Sequence, residues 1–376
     1  MGVFFMYLML KDSEVIYFNF EEFIVQVISP ELVPYSMRHG FKSDNSMQSI
    51  LYNVQLLKSW LSRRVLSLSR DNAKQLYTLF NLPQLDDVET RVNICLKCKG
   101  ISITDSYWLK DDNSKEHFKD VNVRERHFKE IIDISLNGVE PTIATSYLNP
   151  ELTTHGLFRK AWVREDDGLY LLKSDKHCDN INTKMEVLAS KILSCFENKI
   201  DCVEYNGRYR NTKTGRFYVD KCKCFGNEVW SFVEAWELME YCKRIDKDFK
   251  SILLGYSPEV ASIGVLDFLL VNTDRHNQNY GFKMNNITGG LMGVAPLFDF
   301  NCALVADAFN RDATDTLSQM FNDSSTLRQI AYHYNPYSRL ILDRSKFKQL
   351  RSKYKEYGYI FDKVMERCIE LGIVRS

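Results

Sequence analysis

Hydrophobic and polar positions alternate differently along successive parts of the chain. Phe4–Leu10 and Val15–Phe20 are apolar runs of strand length separated by the polar Lys11–Glu14, which predicts two strands and a turn. Over 48–82 the spacing lengthens. Ile50, Val54, Leu57, Trp60 and Leu61 fall on one helical face, and Asp71 stands where it would cap a second helix carrying Ala73, Leu76, Tyr77 and Phe80, ended by Pro83. Ile94–Leu96 and Ile101–Ile103 read as a short strand pair, residues 110–120 as a charged loop, and Glu130–Leu136 as apolar without a clear period. Gly138, Pro141 and Pro150 punctuate Asn137–Thr153 and mark a boundary there.

Beyond that boundary strands dominate. Phe158–Val163 and Leu169–Lys173 flank the turn Arg164–Gly168, and a helix capped by Asn182 or Thr183 carries Met185, Leu188, Ala189, Ile192 and Phe196. Cys202–Tyr205, Phe217–Phe225 and Val229–Val233 are further strands. From Glu234 onward the pattern is helical, interrupted by the loop-rich Asn272–Leu304. Strands around one helix, then a helical half, predict an α+β fold with two lobes. The division is 1–145 as a smaller N-terminal α+β domain, 146–233 as a β-rich N-lobe and 234–376 as a helical C-lobe.

Composition narrows the function classes. Lys+Arg and Asp+Glu both number 49, so the chain lacks the basic surplus of a protein that grips nucleic acid, and nothing marks a membrane-facing basic patch. Ten cysteines scattered over 376 residues read as reduced thiols of a cytoplasmic protein. Cys95 and Cys98 form a lone pair with no second pair at zinc-site spacing, and read as packed thiols. The apolar Met1–Leu10 is too short to span a bilayer and has neither a basic n-region nor a small-residue cleavage site, so it is expected to be a buried first strand.

The chemistry concentrates in Asn272-Thr-Asp-Arg-His-Asn-Gln-Asn279, where an apolar helical segment ends among Asp, His and Asn. Asp274 and Asn279 are five apart, the offset between the catalytic Asp and the metal-binding Asn of a kinase catalytic loop. Asp299 follows at the end of the apolar Val294-Ala-Pro-Leu-Phe, after a hairpin over Phe282–Met284 and Leu291–Val294. One carboxylate and one amide oxygen suit magnesium, a hard ion that prefers oxygen ligands. Upstream, Lys173 ends an apolar strand and Glu186 lies on the next helix, an order that suits a cation held over phosphates by an ion pair. Gly156 sits where a phosphate-covering loop would lie, and Val219–Phe225 leads to a hinge where backbone groups around Cys224 would meet adenine.

This loop, with Pro296-Leu-Phe-Asp299, resembles the HipA-like kinases, bacterial Ser/Thr protein kinases many of which are toxins of toxin–antitoxin pairs. The resemblance covers about residues 150–376 and is strongest over 264–304; residues 1–145 carry no matching motif. It implies Asp274 as catalytic base, Asn279 and Asp299 as magnesium ligands, Lys173 on the ATP phosphates and His276 bracing the loop or touching the reacting phosphate. The implied cofactors are ATP and Mg2+, the substrate a protein Ser or Thr, and the partner a small antitoxin or regulator. Asp299-Phe300-Asn301 lacks the glycine of eukaryotic protein kinases, which argues against their activation-loop switch. A lipid kinase would share the loop, as would a nucleotide-binding protein that transfers nothing. A DNA-associated regulatory subunit is the reading from another class.

Overall fold

The structure is a computed structural model that describes residues 5–126, 129–137, 146–154, 156–175, 180–212, 215–256, 258–305, 309–321 and 324–374. Part of the expected boundary, with Gly138 and Pro141, lies outside the described residues.

The chain opens with β1 (Met6–Leu10), β2 (Ser13–Asn19) and β3 (Ile24–Val27). After α1 (Met47–Arg63), α2 (Ala73–Leu79) and α3 (Val88–Lys97), it returns through β4 (Tyr107–Asp111) to complete an antiparallel sheet of order β3-β2-β1-β4. Ser46 caps α1 by accepting from the Ser49 N–H, and Val54, Leu57, Trp60 and Leu61 are its buried face. Ile94–Leu96 is not a strand. It belongs to α3, whose start is fixed by the Asp87 side chain accepting from the Thr90 N–H, and Val92 and Cys95 bury at helical spacing. Lys110 and Asp111, expected in a loop, end β4 instead, because Tyr107, Trp108 and Leu109 bury beside β1 and carry the strand outward. Asp71 does not cap α2: Asn72 takes that position in a left-handed conformation, and the Asp71 carboxylate instead receives Arg159 at 3.4 Å.

A short α4 (Phe118–Val121) and α5 (Lys129–Asn137) lead to the second sheet. Its strands are β5 (Arg159–Glu165) and β6 (Gly168–Ser174), then, after α6 (Ile181–Leu193) and the two-residue β7 (Phe196–Glu197), β8 (Tyr205–Thr212) and β9 (Gly215–Lys223). The order is β5-β6-β9-β8, all antiparallel. One face, with Ala161, Leu172 and Val219, packs on Ile132 and Leu136 of α5. Strand alternation therefore turns Lys160, Lys173 and Asp220, which stand opposite one another in register, toward the other face. The cap of α6 comes from outside the helix: the Asp175 carboxylate accepts from the Asn182 and Thr183 N–H groups at 2.8 and 3.1 Å. Phe196 lies past the end of that helix, in β7, and Cys202 makes only an isolated bridge to Leu297, so the strand expected at Cys202 begins at Tyr205.

β10 (Trp230–Glu234) leads into α7 (Ala235–Arg244), α8 (Phe249–Tyr256) and the wholly buried α9 (Ser262–Leu270). β11 (Gly281–Asn285) and β12 (Leu291–Val294) form the expected hairpin and pair with β10 as a third sheet. Three further helices, Leu327–Ser338, Arg344–Lys353 and Gly358–Glu370, close the C-terminal half. The result is an α+β architecture in which a sheet-rich part is followed by a helical one. Among the described residues no single helix is long and apolar enough to cross a membrane.

Candidate active site

The candidate site is built from three elements that converge. β6 delivers Lys173, α6 delivers Glu186, and the segment after β12 delivers Asp299. Lys173 Nζ lies 2.9 and 3.1 Å from the two Glu186 oxygens and 2.9 Å from Asp299 Oδ1. An ammonium has three donors, so these contacts use all of them. Burial alone would depress the Lys173 ammonium, but Asp299 and then Glu186 reverse this and hold it well above its ordinary range. The same pairing works on Asp299: burial opposes its charge, and Lys173 followed by Lys160 outweigh burial and hold the carboxyl at about 2. Asp299 is therefore ionised at neutral pH.

Glu186 does a second job. Its Oε1 accepts from the Phe300 N–H at 3.0 Å, while Tyr205 OH accepts from the Asp299 N–H at 3.2 Å. These bonds hold Asp299 in a left-handed conformation, φ 61°, which an aspartate adopts only where its surroundings dictate it. Asp220, opposite Lys173 on β9, is fully buried. Burial, and then the charge of Glu186, push its carboxyl well above the carboxylate range.

The loop 272–279 adjoins the segment that carries Asp299. α9 ends at Val271 in a left-handed conformation, and Asn272 folds back to Asp267 through its N–H and its Nδ2 at 2.8 Å each. Arg275, 1% exposed, is the bracket that sequence reasoning missed. It pairs with Asp267 at 3.1 Å, and its Nη1 donates to the Asn279 carbonyl at 2.9 Å and the Phe298 carbonyl at 2.5 Å. One guanidinium thus ties Asn279 to the residue preceding Asp299, and it stacks 4.7 Å from the Phe300 ring. The signal was present as Asp267, the sole acid in an apolar helix, since a buried carboxylate demands a partner.

Asn279 Nδ2 donates to the Asp274 carbonyl at 3.0 Å, which leaves Oδ1 as the amide's acceptor. Burial raises the Asp274 carboxyl above its ordinary value, with His276 opposing and Asp299 adding to the effect; the Cys302 thiol hydrogen-bonds to it. His276 is half-buried. Its backbone N–H bonds the Asp274 carbonyl and its Nδ1 accepts from the Gln278 N–H at 3.2 Å, so its ring braces the loop. An ionised carboxylate and an amide oxygen on adjoining segments are the hard donors that a nucleotide-bound magnesium takes, and the residues fit that ion.

Gly156 has φ +100°, and a Cβ there would lie 2.3 Å from Lys160 Nζ, so the loop crosses directly over that lysine. Cys224 stands just past the end of β9. Its N–H is already donated to the Leu169 carbonyl at 2.8 Å, because the sheet extends one residue past β9.

The comparisons with known proteins bear on the fold. HipA of Shewanella oneidensis MR-1, solved in a toxin–antitoxin complex with HipB and operator DNA, superposes with a TM-score of 0.53 over 96% of both chains at 10% identity. The proinflammatory kinase CtkA of Helicobacter pylori is similar over 57% of this chain and 92% of its own, with a TM-score of 0.42 and 15% identity. No protein-family model and no curated protein matches the sequence. The chain has a HipA-like kinase fold.

Proposed function

We propose that this protein is a HipA-like kinase that transfers the γ-phosphoryl group of ATP to a Ser or Thr hydroxyl of a protein. The observation that carries this reading is the meeting of Lys173, Glu186 and Asp299 beside the loop of Asp274 and Asn279. Phosphoryl transfer is largely positioning and charge neutralisation, and each of these side chains has a part in it. Asp274, whose carboxyl burial raises above its ordinary value, orients the incoming hydroxyl and accepts its proton. Asp299 and the Asn279 amide oxygen hold magnesium, which supplies neutralisation of the phosphate charge. Lys173, held by Glu186, fixes the nucleotide, and Arg275 keeps the two segments in register. HipA was solved with HipB, and a small regulatory partner is proposed for this chain on the same footing.

The test is transfer of label from γ-labelled ATP with magnesium, using the protein alone and with cell lysate. The expected outcome is labelled protein from the wild type and a loss of at least about a hundredfold in Asp274→Ala, the scale of a removed general base. Asp299→Ala is expected to lose transfer as well. Label on extracted lipid rather than protein would move the substrate class, and wild-type protein that binds no nucleotide would sink the reading.

A further inference from the structure

Asp220 is an acid in the middle of a sheet. β9 lies between β6 and β8, and Asp220 is 0% exposed. Aspartate is disfavoured in strands, and a buried carboxyl is costly unless something satisfies it. Its cross-strand neighbours do not. Lys173 on β6 has given its three donors to Glu186 and Asp299, and Gly207 on β8 has no side chain. Among the described residues neither Asp220 oxygen receives a hydrogen bond from an N–H or hydroxyl donor. What it meets is a second acid: its carboxyl hydrogen-bonds to that of Glu186, itself 0% exposed.

Two carboxyls in hydrogen-bond contact need a proton between them, and their other partners decide which one carries it. Glu186 is occupied as an acceptor. It receives Lys173 Nζ at 2.9 and 3.1 Å and the Phe300 N–H at 3.0 Å. An acceptor so placed has lone pairs left for one more donor, and the Asp220 hydroxyl is the donor at hand. Burial, and then the charge of Glu186, act on the Asp220 carboxyl in the same sense, raising it well above the carboxylate range. β9 thereby braces α6 through a single side chain, at the glutamate that also touches the segment carrying Asp299.

We propose that Asp220 is a neutral acid that donates its proton in a hydrogen bond to Glu186, and that it is the positioning residue that keeps Glu186 on Lys173. This rests on the kinase reading, in which Lys173 held by Glu186 fixes the nucleotide. A side chain at 220 that cannot donate leaves Glu186 one tether fewer, and the lysine it holds is then less well placed for the phosphates.

The experiment has two readouts on the full chain. Infrared spectroscopy reads the proton without any nucleotide. The wild type is expected to show the carbonyl stretch of a protonated acid, shifted in D2O; Asp220→Asn should lose that band and Glu186→Gln should move it. Titration with Mg-ATP reads the positioning. Asp220→Asn, whose amide is neutral and can donate to Glu186, should keep most of the affinity. Asp220→Val fills the place but cannot donate, and should weaken Mg-ATP by about tenfold, the scale of a lost hydrogen bond to a charged group, with a melting temperature close to that of the wild type. A band that survives Asp220→Asn, or is unmoved by Glu186→Gln, overturns the shared proton. Equal losses of affinity in Asp220→Asn and Asp220→Val overturn the neutral acid, because a charge rather than a donor would then be required. Asp220→Val that binds as the wild type does overturns the positioning role. If Asp220→Val does not fold, the Asn variant and the band decide. Wild type that shows the band but binds no nucleotide removes the kinase reading and leaves the Asp220–Glu186 pair standing.

Discussion

Lys173 makes its contacts where almost no water reaches, so truncating it should cost more than its own hydrogen bonds. Glu186 is 0% exposed and would be left as a buried charge without its cation. Lys173→Ala is expected to destabilise the fold by about 3–5 kcal/mol. Lys173→Met with Glu186→Leu should recover most of the melting temperature while nucleotide binding stays lost; thermal melts and an ATP titration separate the two effects. Glu234 offers a pH-dependent counterpart. It lies in a cleft with Trp60, Arg63 and Trp236, where burial, and then Glu237, raise its carboxyl to about 7. Below the unfolded value both states are protonated. Between that value and about 7 only the unfolded state ionises, so this group's contribution to stability falls as pH rises, and levels off above 7. Glu234→Gln should therefore match the wild type near pH 4 and gain on it toward pH 8, by roughly 3 kcal/mol if the whole shift is expressed. Melting curves of the two proteins from pH 4 to 8 give the difference directly, and a flat difference would deny the raised carboxyl. At this scale, the Lys173–Glu186 pair was legible because a strand-end lysine and a helix glutamate are spaced to meet. Arg275 was not, because its role is to join two carbonyls that only the fold brings together.

Elements were most legible where one face had to bury. β5, β6, β11 and β12 fall within a residue or two of their expected ends, since each alternates apolar positions between clear turns. α3 was misread because Ile94–Leu96 and Ile101–Ile103 are short apolar runs either side of Gly100, and the signal that decides it, the Asp87 cap, lies upstream. The close packing of α9 on the helix Leu327–Ser338 was likewise invisible. A Cβ at Gly264 would lie 2.3 Å from Ile330 Cγ2, a methyl on a stiff β-branched side chain. Gly264→Ala is expected to cost about 1–3 kcal/mol by overpacking. Ile330→Ala should cost stability by leaving a cavity, and the double variant should cost clearly less than the two together, because the new methyl fills the vacated space. Urea midpoints of the four proteins test this, and simple additivity would place the two helices farther apart than described. The matter reaches function, since α9 carries Asp267 and so sets Arg275.

The whole molecule joins its N-terminal part to its C-terminal half through polar contacts that no local pattern announces. Tyr35 OH and Arg38 Nη1 donate to the Gly289 carbonyl at 3.2 and 3.0 Å, and Ser36 Oγ donates to Glu237 Oε2 at 2.7 Å. The Ser106 N–H bonds Ser231 Oγ at 3.0 Å, and Asn286 Nδ2 meets Ser106 Oγ at 3.2 Å. Tyr107 and Met284 bury together in one core that spans both parts. A chain held this way should unfold as one unit, with tryptophan fluorescence and far-ultraviolet circular dichroism tracing a single urea transition. Gly289 tests the coupling far from the cleft. It has φ +66°, and a Cβ there would lie 1.8 Å from the Glu31 carbonyl oxygen, a backbone atom that cannot turn aside. Gly289→Ala is expected to lower the midpoint by the equivalent of about 1–3 kcal/mol, with both probes moving together. If the probes separate, the N-terminal part melts on its own, and Arg70, which donates to Glu151 Oε2 at 2.9 Å and to the Thr154 carbonyl at 3.4 Å, would then release the segment before β5 ahead of the rest of the chain. ATP affinity measured in that pre-transition range would fall with the first transition. Coincident probes with affinity constant up to the midpoint would instead tie the nucleotide site to the stability of the whole chain.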